Sequence, residues 1–137
     1  MKISAKAEYA CLAMIELARR GSEQVPVRVR EIAEEHGIPE RYLVQILLQL
    51  KGAGLVYSAR GSGGGYRLSR PADQISLYEV LVAIDGPGEP SRESQEPAAQ
   101  ALASIWENIC AAKRVVLEKT TIAQLAASGA SGKDWVI

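Results

Sequence analysis

The chain has 137 residues with 16 basic and 16 acidic side chains, 47% hydrophobic and 23% charged residues. That is room for one domain with a core and a short appendage, and the mix excludes a disordered chain. Two cysteines and one histidine exclude a disulfide framework and a self-contained zinc site.

Residues 4–20 read as a first helix, with Ser4 as N-cap, Ala10, Cys11, Met14, Leu17 and Ala18 as an apolar stripe, and Gly21 as a stop. A short second helix spans 29–36, with Val29, Ile32 and Ala33 inward, and ends at Gly37. A third spans 39–52, where Leu43, Ile46, Leu47 and Leu50 follow i, i+3, i+4, i+7 and so mark a core face. Its opposite face carries Arg41, Gln45, Leu48, Gln49 and Gly52, flanked by Lys51. Leu55–Ser58 and Gly65–Ser69 read as two strands around a glycine-rich tip, with Tyr57 and Tyr66 expected to pair across them. Ser76 caps a fourth helix through Asp85. Residues 86–99 form a polar, proline-rich connection, 98–118 a long helix, and Ile122–Ala127 a last short helix capped by Thr120 or Thr121.

Charge is unevenly spread. Residues 1–70 carry 11 basic and 7 acidic side chains, residues 71–137 carry 5 and 9, and no Asp or Glu occurs in 41–70. Such asymmetry points to a polyanion as the partner of the basic part. Two helices joined by a glycine turn and followed by a basic hairpin make a winged helix-turn-helix pattern. The third helix buries one face and leaves the other polar and free of acids, as a helix approaching phosphates must. Arg41, Gln45 and Gln49 are of the types that pair with guanine and adenine edges. Arg60, beside Gly61, Gly63 and Gly64, supplies an arginine for a narrow minor groove and a backbone that can approach the sugar-phosphate chain. The glycine run lacks the Lys-Ser/Thr pair of a phosphate-cradling loop, and no nucleophile–base pair or metal cluster can be assembled, so no enzyme is read.

Ile32-Ala33-Glu34, Gly37-Ile38-Pro39, Tyr42-Leu43, Ala53 through Ser58, and Arg60-Gly61 with Gly63-Gly64-Gly65-Tyr66 strongly resemble the Rrf2 (BadM-type) winged-helix transcription regulators. Ser4, Tyr9-Ala10 and Ile75-Ser76-Leu77 extend the match, which is good over 1–85 and loose beyond. The resemblance implies a homodimer on a pseudo-palindromic operator, with Arg41, Tyr42 and Gln45 at the major groove and Arg60 at the minor groove. It also implies that helix 98–118 crosses its twin through Leu102, Ile105, Trp106, Ile109 and Val116. Cluster-binding members carry three cysteines after the fourth helix, whereas residues 86–100 here contain none, so no cofactor and no metal site is expected.

The expected fold is therefore mostly α. A winged helix-turn-helix DNA-binding domain with a small β-hairpin wing (1–85) is followed by a flexible loop (86–99), a helical dimerisation arm (98–127) and a tail (128–137). The expected DNA-contacting residues are Arg41, Tyr42, Gln45, Gln49, Lys51, Ser58, Arg60, Gly61, Ser62, Gly63 and Gly64. The expected partners are double-stranded DNA, a second copy of the chain, and a small-molecule or protein effector. The function read is sequence-specific repression, with a winged-helix protein-interaction module as the alternative. Cys110, on the long helix, is the candidate redox thiol, Cys11 an inert apolar-face residue, and His36 a helix-end cation. No apolar run approaches the roughly 20 residues of a membrane span, and Met1–Lys6 lacks a signal-peptide pattern. A cytoplasmic location without membrane attachment is the expectation.

Overall fold

A computed structural model describes residues 3–21, 25–61, 63–88 and 93–129. In chain order it contains α1 (Ala5–Arg19), α2 (Val29–His36), α3 (Glu40–Gly52), β1 (Val56–Ala59), β2 (Gly65–Leu68), α4 (Leu77–Asp85), α5 (Pro97–Lys119) and α6 (Ile122–Gly129). A 3-10 turn over Ala72–Gln74 precedes α4. Among the described residues no helix is long and apolar enough to cross a membrane. Ser62, the tail beyond Gly129 and the centre of the 86–99 connection lie outside the described residues.

Helix α1 is the hub, packing on α2, α3, α4 and α6. Its inward residues Ala7, Ala10 and Ala13 are fully buried, and their small side chains let neighbouring helices come close. Ser4 caps it, accepting from the Ala7 N–H at 3.0 Å, and its hydroxyl donates to the Asp85 carboxylate at 2.9 Å. One residue thus begins α1 and ties its start to the end of α4. Leu43, Ile46, Leu47 and Leu50 of α3 are fully buried at the periodicity their spacing predicts. Gly37, at φ +64, ends α2, and Pro39 stands as the N-cap of α3. The left-handed turn is what lets α2 and α3 pack on each other with so short a connection.

Ser76 and Glu79 form a reciprocal capping box on α4: Ser76 N–H donates to Glu79 Oε2 at 2.9 Å, and Glu79 N–H donates to Ser76 Oγ at 3.1 Å. Arg70, just after the wing, donates to Glu79 Oε1 at 2.8 Å, which anchors the wing's exit to α4. Thr121 caps α6 in the same manner, with Gln124 N–H donating to its hydroxyl at 3.1 Å. Backbone bonds from Leu77 to Thr120 (2.8 Å) and from Ile122 to Ile75 (2.9 Å) lock the start of α6 to the start of α4. Ile122 is fully buried in the common core, so α6 returns to the domain and α5 alone projects from it. Along its 23 residues α5 buries none.

The wing is an antiparallel pair with Val56 opposite Leu68 and Ser58 opposite Tyr66. This register corrects one expectation. Tyr57 faces Arg67, so Tyr57 and Tyr66 do not form a cross-strand pair, and neighbouring positions along a strand point to opposite faces. Tyr66 instead packs toward the core, and its backbone exchanges two bonds with Val27 at 2.8 and 3.0 Å. Val27 thereby acts as a third, one-residue strand beside β2.

Gly65 is what permits that approach. A Cβ built there would lie 2.4 Å from the Val27 carbonyl oxygen, a backbone atom that cannot move without opening the bridge. Gly65→Ala should therefore cost about 2 kcal/mol in urea unfolding. Gly63→Ala, with open space around it, serves as control and should cost far less. Equal midpoints for the two variants would refute this account of the wing's base.

Candidate nucleic-acid interface

The buried face of α3 leaves its outer face to solvent, and the wing follows directly after it. Arg41 and Gln45 are exposed one turn apart, and Gln49, the next turn on, is partly exposed. The structure places these three side chains along one groove on α3. Tyr42 sits at the side of the helix, its ring meeting that of Tyr9 edge-to-face at 5.7 Å between centroids. That contact orients Tyr42 against α1 while leaving it 37% exposed. Lys51, at the end of α3, donates from Nζ to Ser58 Oγ at 2.9 Å, so two of the expected DNA-contacting residues are joined across the α3–β1 junction.

Arg60 follows β1 and is exposed. The tip is closed by the Gly64 N–H donating to the Gly61 carbonyl at 3.0 Å. Gly61 has φ +105, a conformation costly for any residue with a Cβ. A Cβ at Gly64 would lie 2.9 Å from the Ala59 carbonyl oxygen, so the tight tip requires glycine at both ends. Ser62 falls outside the described residues, whereas Gly63 is exposed at the tip.

Among the described residues neither Arg41 nor Arg60 has an ion-pair partner. By contrast Arg70 pairs with Glu79, Arg30 with Glu34 and Arg114 with Glu118. Arg41 on α3 and Arg60 at the wing tip are thus available for phosphate or base edges.

Two features escape local pattern reading. Val44 is 39% exposed beside Leu48 on the outer part of α3, although the periodicity singled out only Leu48. The other is Glu16, 5% exposed on α1. Its Oε2 accepts from Arg20 Nε at 2.7 Å, and its Oε1 lies 2.9 Å from His36 Nε2 at the end of α2. The i, i+4 spacing of Glu16 and Arg20 is a signal that could have been read; the partner 20 residues on could not.

On the projecting helix, Leu102, Ile105, Trp106, Ile109 and Val116 are each more than half exposed, with Leu102 at 54% and Val116 at 64%. Cys110 is exposed on the same helix. The Arg114 guanidinium lies 4.7 Å from the centre of the Tyr78 ring, which props α5 against α4.

A family model, Rrf2, described as iron-dependent transcriptional regulator, matches residues 3–128. Rv1287 of Mycobacterium tuberculosis (strain ATCC 25618 / H37Rv), provisionally named an HTH-type transcriptional regulator, is 42% identical over 132 residues, 92% of this chain and 81% of that protein. The solved structure of CymR, the global cysteine regulator of B. subtilis, superposes with a TM-score of 0.80 at 36% identity, covering 93% of this chain and 97% of that one. That of T. potens IscR gives 0.81 at 31% identity, covering 100% and 94%.

The donor set of this chain does not fit an iron–sulfur cluster held by one chain. Among the described residues no three His, Cys, Asp or Glu side chains converge. Burial, with the charges of Glu8 and Asp85 beside it, pushes the Cys11 thiol up to about 11, as for a cysteine packed on the inner side of α1. Cys110 stands on α5, and the His36 imidazole is already engaged with Glu16. The family rests instead on the fold and on the match along nearly the whole chain: the protein is a member of the Rrf2 family of HTH transcription regulators, a DNA-binding regulator and not an enzyme.

Proposed function

We propose that the chain acts as a homodimer that represses transcription by binding a pseudo-palindromic operator, without a conventional iron–sulfur cluster. In this reading residues 1–85 form the DNA-binding unit, 86–99 the connection and α5 the dimerisation arm. Arg41, Gln45 and Gln49 read base edges in the major groove, with Tyr42 beside them. Lys51 and Ser58 meet the phosphate backbone, and Arg60 enters the minor groove on the tip Gly61, Ser62, Gly63 and Gly64. The observation that carries the reading is the pair of exposed arginines, Arg41 and Arg60, without ion-pair partners among the described residues, on a surface whose sequence from 41 to 70 holds no acid.

The test is a binding selection from genomic fragments with the full-length protein, at two salt concentrations, with and without reductant. A palindromic motif should emerge, with log K falling by about 0.9 per neutralised phosphate for each log unit of salt. A reporter driven by a promoter containing the motif should fall when the protein is supplied. Gln45→Ala should cost about 1–3 kcal/mol on the motif and relax base preference, whereas Arg60→Ala should weaken all sequences alike. Equal losses for Gln45→Ala on motif and random DNA would remove it as a base reader. Dependence on reductant would single out Cys110 for mutation, and no enrichment at either salt would turn the reading toward protein contact.

A further inference from the structure

The outer face of α3 holds two large aliphatic side chains left open by the described residues: Leu48, 54% exposed, and Val44, 39% exposed. They stand one helical turn apart and line a groove with Arg41, Gln45 and Gln49. A single surface leucine needs no explanation. Two at i, i+4, in a groove lined otherwise by an arginine and two glutamines, with Glu40 standing one turn before Val44 at the helix start, fit a partner that is anionic overall and apolar at defined points. An ordinary apolar protein surface does not meet the first condition, because it would leave Arg41 desolvated without a counter-charge. The major groove of DNA meets both. Its backbone supplies the charge, and the C5-methyl group of thymine is the apolar element on its base edges.

We propose that Val44 and Leu48 read thymine methyl groups, so that each half-site carries thymines next to the base pairs addressed by Arg41 and Gln45. This rests on the DNA-binding reading above and adds the chemistry of what is read. The two side chains are separated by about 6 Å along the helix, which matches thymines within about two base-pair steps of each other.

The experiment is a uracil scan. On the motif recovered by selection, each thymine is replaced singly by deoxyuridine, which removes the methyl and keeps every hydrogen-bonding group. With the full-length protein, affinity should fall about fourfold per buried methyl at one or two thymines in each half-site, and nowhere else. The fall should disappear with Leu48→Ala or Val44→Ala. Both side chains are exposed and alanine favours the helix, so these variants keep the fold. A flat scan on a motif still bound in a salt-dependent way overturns methyl readout and leaves the DNA-binding reading standing, whereas failure to recover any motif overturns both. Equal losses in wild type and variants, or a change in sedimentation caused by Leu48→Ala, would also overturn it, the latter by assigning the aliphatic pair to self-association.

Discussion

On the proposed homodimer, replacing Trp106 and Ile109 together by glutamate is expected to give a monomer in sedimentation and to lower affinity for the proposed operator by about 10²–10⁴-fold, the gain that linking two half-site readers provides. The ground is the state of α5. It is a 23-residue helix that buries no residue, yet carries an apolar stripe with Trp106 at 56% and Ile109 at 55% exposure. A helix so exposed on its apolar side is stabilised by packing against something outside the single chain, since helical propensity alone contributes little in water. A symmetric crossing of two such helices covers the same stripe on both copies. Introduced carboxylates would lie face to face across the two-fold axis and repel each other. Since neither side chain belongs to the core, circular dichroism should show the helical content of the remaining domain intact. An unchanged sedimentation coefficient with unchanged affinity would overturn the assignment of α5 as the dimer helix.

Much of this architecture was legible because its causes are local. The 3.6-residue spacing of Leu43, Ile46, Leu47 and Leu50 fixes the inner face of α3, and therefore which residues remain outside. Ser4, Ser76 and Thr121 begin helices through bonds to residues three positions away, so their roles can be read from sequence. The winged-helix pattern followed from order alone: glycine turn, helix, then arginine-glycine hairpin. Long-range pairing was not legible. Nothing near Val27 indicates that it borders β2, and nothing near Thr120 that it bonds to Leu77, because both contacts depend on how separate elements dock. The Tyr57–Tyr66 expectation failed for a related reason, since a shift of one residue in strand register sends a side chain to the opposite face. Val44 was missed because it lies toward the edge of the outer face, where periodicity does not separate partial from full exposure.

The second large effect concerns a group outside the DNA surface. Glu16→Ala is expected to destabilise the protein by about 3 kcal/mol, the lower part of the range for breaking a buried ion pair. The lower part applies because Arg20 retains Glu31, 2.7 Å away, while the Arg20 and His36 side chains stay 27% and 12% exposed. Geometry makes the position matter. Glu16 joins α1 to the last residue of α2, directly before the Gly37 turn that sets the direction of α3. Burial pushes the Glu16 carboxyl up, but hydrogen bonds and charge from Arg20 and His36 outweigh it and leave the group below the usual carboxylate range. With a folded value below the unfolded one, its contribution is complete above the ordinary carboxylate range and is lost as pH falls through the lowered folded value. Wild-type stability in urea should therefore drop on acidification through that window, and Glu16→Gln should lose part of the pH dependence. Glu79 retains the rest, because bonds from Ser76 and Arg70 overcome the upward push of burial there and hold its carboxyl down as well. A Glu16→Gln protein with the full wild-type pH slope would show that the α1–α2 pairing contributes nothing to stability and that helix packing alone orients α3.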